Sequence, residues 1–122
     1  MSNDTAHWVV RFSDAADADL RGIAVWTSAQ FGNVQAKAYV AILAAAVDAL
    51  VDGPTIVGAR PRPDIGRNVH SLHAARHGKR ARHLVLFSPT MREGVATIEV
   101  LRILHDAMDL PRHFKIGDID PA

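Results

Sequence analysis

The side chains best suited to chemistry in this chain are its seven histidines and its fourteen lysines and arginines, and many of them crowd together. The run RHGKRARH, Arg76 to His83, holds Arg76, Lys79, Arg80 and Arg82 together with two histidines, His77 and His83. Guanidinium and ammonium groups hold phosphates or carboxylates, and an imidazole can give or take a proton near neutral pH. A solvated turn would account for the run as well as a binding surface would. Arg60, Arg62 and Arg67, close by in sequence, add weight to the surface. Arg102 is the more unusual cation. It stands between Leu101 and Ile103 in a strongly apolar stretch, where alternation would set it on one face with Val100 and Leu104. Because guanidinium does not deprotonate, it must reach water, a carboxylate such as Glu99 or an Asp elsewhere, or a bound anion. His105 ends that stretch, where a backbone hydrogen bond would satisfy it.

Other chemistries lack their residues. There are no cysteines, so disulfides, thiolate catalysis and sulfur-ligated zinc are excluded. The histidines show no HExxH spacing, and neither a metal nor another cofactor is expected. No P-loop, GxGxxG, GxSxG or EF-hand pattern occurs. One tyrosine is too few for a base-stacking platform. Asp14, Asp17 and Asp19 cluster where a helix should start, which explains them.

The formal charge of +1 is unevenly spread. Residues 1–59 carry three basic and six acidic side chains, residues 60–83 seven and one, and residues 84–122 four and six. Five histidines (His70, His73, His77, His83 and, if the strands pair, His105) lie at or near that basic middle. Such a patch implies an anionic partner, nucleic acid or an acidic protein segment.

The elements that must position these groups read as follows. HWVVRF alternates as a half-buried strand, with Trp8, Val10 and Phe12 on one face. Ser13 offers an N-cap, and Ala16, Leu20, Ile23, Thr27 and Phe31 form a helical stripe. Gly32 stops that helix and Asn33 can cap a second, whose apolar face is Tyr39, Ile42, Leu43, Ala46 and Leu50. Gly53 to Asn68, with three prolines and three glycines, reads as loop. NVHSLH, RARHLVLFS and TIEVLRILH then read as strands, with Gly78 and Gly94 in the turns between them. The order β-α-α-β-β-β, with a short C-terminal segment, predicts an α+β domain: an antiparallel helical hairpin packed on an antiparallel sheet. A length of 122 residues and a hydrophobic content of 48% suit one domain with a real core. The start MSNDTAHW has neither a basic nor an apolar character, and the most apolar run, Ala38 to Val47, is short for a bilayer. No membrane partner is expected, and a cytoplasmic location is.

The stretch IEVLRILHDAMDLPRHF, Ile98 to Phe114, resembles the C-terminal signature of the RelE/ParE toxin superfamily, its ParE branch in particular. There a last strand V-x-R-[VI]-L-H precedes a variable pair and M-[DE]-[ILV]-x-R-x-[LF]. FSDAADADLRGIAVWTSAQFG is similar to that family's first helix, and PRPDIGRNVHSLHAARHGKRARHLVLFS to its loop and following strands. The resemblance spans about residues 7–114 of a single domain, 1–122. It implies the toxin half of a type II toxin–antitoxin module in hetero-oligomeric complex with a ParD-like antitoxin, whose acidic or amphipathic tail would wrap the toxin.

Two activities occur in that superfamily. RelE-like members cut messenger RNA on the ribosome, for which Arg82, His83, Arg102 and His113 would be the catalytic material here. ParE-like members poison DNA gyrase without catalysis. The lone tyrosine, Tyr39, falls in the second helix and the tail carries Phe114 where the RNases tend to place a hydroxyl or imidazole pair. The pI near 8.3 is low for a ribosome binder. The ParE-like reading is therefore preferred, with no catalytic residue expected; the alternatives are the RelE-like RNase and a non-toxic homologue that only binds its antitoxin. Its partner-binding residues are expected to be Arg76, Lys79, Arg80, Arg82, Arg102, His105, Met108 and Arg112.

Overall fold

The computed structural model describes residues 7–108. Strand β1 (Val9–Phe12) leads into helix α1 (Asp14–Phe31), then helix α2 (Asn33–Ala49) with a 3-10 turn, Leu50–Asp52. Strands β2 (Ala59–Pro61), β3 (His70–His73), β4 (His83–Arg92) and β5 (Val95–His105) follow. They form one five-stranded sheet in the order β1-β5-β4-β3-β2. The α+β class and the helical hairpin expected from the sequence are present. The sheet is mixed, not purely antiparallel: β1 runs parallel to β5, with Val9 opposite Thr97 and Phe12 opposite Val100. The helical hairpin supplies the long connection that parallel pairing requires. β2 lies inside the segment read as loop. Three residues ending in proline give no alternation to detect, and proline is tolerated there because β2 is an edge.

Two layers of core hold the sheet. Leu43, Ala46 and Leu50 of the α2 segment meet Val85, Phe87, Ile98, Val100 and Ile103 on the helix side. Asn33–Asp52 is a stretch long and apolar enough to cross a membrane by length and composition, and Leu43, Ala46 and Leu50 are among its residues in this core. On the other side Ile65 and Val69, from the loop before β3, cover Leu84, Leu86, Leu101 and Leu104. β5 serves both layers, and a bulge sets which of its residues face each. Leu86 pairs with Arg102 and Phe87 with Val100, leaving Leu101 without an opposite residue. The extra residue reverses the alternation, so Arg102 shares its face with Leu104 and not, as simple alternation requires, with Val100. The β4–β5 turn uses Glu93 and Gly94, both at positive φ, as a two-residue hairpin demands.

Helix α1 is locked to the edge of β5. Ser13 caps it, accepting from the amide of Ala16 at 3.0 Å while its hydroxyl donates to the carbonyl of Leu101 at 2.8 Å. One turn further, Asp19 accepts from Arg102 Nε at 2.7 Å, Arg102 Nη2 at 3.0 Å and the amide of Ile103 at 3.0 Å. The first-turn acids Asp14 and Asp17 fit the helix dipole, but Asp19 belongs to the sheet. At the hairpin corner Gly32, at φ 91°, occupies the cap position of α2, and Asn33 is already helical. Its side chain accepts from the Ser28 hydroxyl instead of capping. Phe31 does not close the buried stripe: it stands 64% exposed.

Replacing Asp19 by Ala removes the acceptor shared by Arg102 and the Ile103 amide. It should cost about 2–3 kcal/mol of stability. A fall in denaturation midpoint at unchanged slope would measure it; a loss below about 0.5 kcal/mol would show that the edge needs no clamp.

Candidate functional site

Where the open end of the β4–β5 pair meets the helical hairpin, the fold leaves a groove of about 880 Å³. One wall is α1, contributing Ile23 and Trp26; Phe31, Gln35 and Tyr39 continue it across the corner into α2. The far wall is Arg82, His83, Ile103 and His105. Trp26 is 59% exposed and meets Phe31 edge to face at 6.0 Å. Together with Val25 and Val34 they leave an apolar patch at the hairpin corner. Exposed aromatics grouped in this way mark interaction surfaces.

The groove's other end is polar. Tyr39 Oη lies 2.7 Å from His83 Nδ1 and accepts from the amide of Arg82 at 3.0 Å. His83 meets His105 edge to face, 5.3 Å between ring centres. Asp106, just past β5, ties β3 and β4 together: its carboxylate accepts from Arg82 Nη2 at 3.0 Å and lies 2.8 Å from His73 Nε2. Burial, and then the neighbouring His105, hold the pKa of His83 below the ordinary imidazole value. Hydrogen bonds from Arg82 and His73 pull that of Asp106 down to about 2. His105 accepts from the amide of Ala107, the backbone bond expected of a strand-end histidine.

The residues singled out in the sequence are distributed unevenly around this groove. Arg82, His83 and His105 line it. Lys79 and Arg80 are exposed in the loop leading to β4, and Arg76 donates to the carbonyl of Val57. Arg102 is committed to Asp19 and does not line the groove. Met108 is 36% exposed beyond β5, and Arg112 and His113 lie outside the described residues. His73 and His77 stand four residues apart, but on a strand end and a turn, with His77 at φ 52°. No group of three or more metal-ligating side chains forms among the described residues. Sequence reasoning missed Trp26 and Gln35 as groove residues and assigned Phe31 and Tyr39 to the core. For Trp26 a signal existed: it falls outside the Ala16–Leu20–Ile23–Thr27 stripe, so it must face elsewhere.

Tyr39 does lie in the second helix, yet it meets an imidazole there. α2 packs so that its hydroxyl reaches across to His83, a contact between residues 44 apart that no local pattern encodes. The depressed pKa of Asp106 carries a sign. Its stabilising contribution is complete above the unfolded carboxylate value near 4 and is lost as the pH falls through about 2. The Asp106 carboxyl carbon should therefore titrate near pH 2 by NMR. In Arg82→Ala that midpoint should move toward 4; an unchanged midpoint would remove Arg82 as its principal cause.

The sequence from residue 10 to residue 110 matches the family of ParE toxins of type II toxin–antitoxin systems, parDE. Among solved structures, the fold is similar to a chain of the chromosomal ParDE TA system from P. aeruginosa, with a TM-score of 0.66. The two share 20% identity, and the match covers 82% of this chain and 97% of that one. No curated protein matches the sequence. With the family match spanning both helices and all five strands but the first residue of β1, this chain belongs to the ParE toxins of type II toxin–antitoxin systems.

Proposed function

We propose that this chain inhibits growth by poisoning DNA gyrase without catalysis, and that a ParD-like antitoxin neutralises it by laying an amphipathic segment in the groove. Membership of the ParE family supports the first half. The single observation that carries the second is the groove itself, apolar at Trp26 and Phe31 and cationic at Arg82, with two imidazoles between. A helix or extended peptide with apolar anchors on one face and acidic residues beside them fits such a surface. Family resemblance also points to a cytoplasmic hetero-oligomer of toxin and antitoxin.

The contact between Tyr39 and His83, beside Arg82, favours a second reading: ribosome-dependent cleavage of messenger RNA. A hydroxyl, an imidazole and a guanidinium are the parts such a site needs. Against it, Arg82 and Arg102 are each paired to a carboxylate, Asp106 and Asp19, which offsets the charge a phosphorane would need.

Purified toxin added to gyrase is expected to abolish supercoiling or trap cleavage complexes, and antitoxin should reverse this. No effect at large molar excess, together with cleavage of ribosome-bound message lost in Arg82→Ala, would establish the RNase reading instead. For the groove, Trp26→Ala should weaken antitoxin binding about 30-fold or more, the scale of an aromatic hot spot. Because Trp26 is largely exposed, stability should be unchanged. Binding within threefold of wild type, measured by calorimetry, would place the antitoxin elsewhere.

A further inference from the structure

The polar end of the groove has a hydrogen-bonding sense that its residue types alone do not reveal. The amide of Arg82 already supplies one proton to Tyr39 Oη, which favours the phenol giving its own to His83 Nδ1. A His83 that accepts at Nδ1 carries its proton on Nε2. His105 accepts at Nδ1 from the Ala107 amide, which puts its proton on Nε2 as well. Neither Nε2 has a hydrogen-bond partner among the described residues, and neither is a buried orphan; in that set only His70 Nδ1 is. Both rings line the groove, 5.3 Å apart.

Two N–H donors thus sit at one end of a groove that is apolar at Trp26 and Phe31, with the guanidinium of Arg82 beside them and Asp19 also in the lining. The carboxylates of the region are already engaged. Asp19, facing from α1, accepts from Arg102 and the Ile103 amide. Asp106 accepts from Arg82 and is bonded to His73, which faces from β3. Tyr39 is the group facing from α2.

We infer that His83 and His105 form a carboxylate receptor, which takes one Asp or Glu side chain of the docked segment between two Nε2–H donors. The inference rests on the groove being the antitoxin's docking site and names the group that fixes the segment's register there. Apolar contact with Trp26 and Phe31 tolerates sliding; a carboxylate held by two donors does not. It also couples docking to protons. A proton on either imidazole adds a positive charge opposite the same carboxylate, so affinity rises as the pH falls. The ligand's own carboxylate stays ionised down to about pH 5. Burial, and then the neighbouring His105, disfavour the charged form of His83 in the empty groove, and a bound anion opposes that shift.

The probe is sodium 4-phenylbutyrate, whose ring can lie on Trp26 and Phe31, compared with its uncharged amide. Both are titrated into the full-length toxin at about pH 5.5 and about pH 8, either side of the ordinary histidine range. The imidazole nitrogens and the Trp26 indole are followed by NMR. The carboxylate should bind about tenfold more tightly than the amide at the lower pH and lose most of that advantage at the higher. Its binding alone should shift the Nε2 signals of His83 and His105. His105→Gln, at an exposed strand end, should reduce the pH dependence and the advantage of the carboxylate over the amide; His83→Gln should do the same, and the double variant should abolish the pH dependence. Equal binding of both compounds at Trp26, with silent histidines, would overturn the receptor and leave the docking groove standing. No response at Trp26 or at the histidines would overturn both.

Discussion

Everything in this fold hangs on how the edge of β5 is finished. β1 covers that edge only from Thr97 to Val100. Beyond it the strand still presents backbone groups that would otherwise need water or another chain. Helix α1 closes them: the Ser13 hydroxyl takes the carbonyl of Leu101, and Asp19 takes the amide of Ile103. The bulge at Leu101 falls in this same stretch. It turns Arg102 off the helix-side core, and Asp19 recovers the guanidinium with the oxygens that hold the edge. One carboxylate therefore sets the position of α1 against the sheet, and with it the width of the groove.

The groove follows from that placement. α1 anchored by its first two turns leaves its later residues, Trp26 and Phe31, without a sheet to lie on, because β5 ends at His105. An apolar surface is thus left at the corner of the hairpin while the strand ends bring histidines opposite. Asp106 sets the polar limit by drawing Arg82 and His73 together. The lowered pKa of His83 and the strongly acidic Asp106 are two results of one arrangement: burial beside another imidazole in the first case, two donors in the second.

The architecture was largely legible in the sequence because its elements are long and locally consistent. The cap at Ser13, the stop at Gly32 and the turn at Gly94 each carry a local conformational reason. β2 was not legible, since three residues at an edge carry no period. The bulge was invisible for a different reason: a continuous apolar run such as VLRIL looks the same with either alternation. The site was legible only as a concentration of charge. Which cations would be neutralised, by Asp19 and Asp106, depends on contacts between residues 83 and 24 positions apart. Asp19 in particular was explained away as a helix-start acid. Its chemistry suits that role, and its position one turn too late was the available clue.

The parallel pairing of β1 with β5 also sets an order in time. These strands are the first and last among the described residues, and Ser13 and Leu101 are bonded across 88 positions. During synthesis, at roughly 5–20 residues per second, α1 and α2 emerge long before the strand that must receive them. The groove's far wall, ending at His105, is among the last parts of the described chain to leave the ribosome. A nascent chain accordingly holds a helical hairpin with no sheet, and a chain cut short before β5 has neither the clamp nor the receptor. Toxicity that depends on this surface is withheld until β5 has been made.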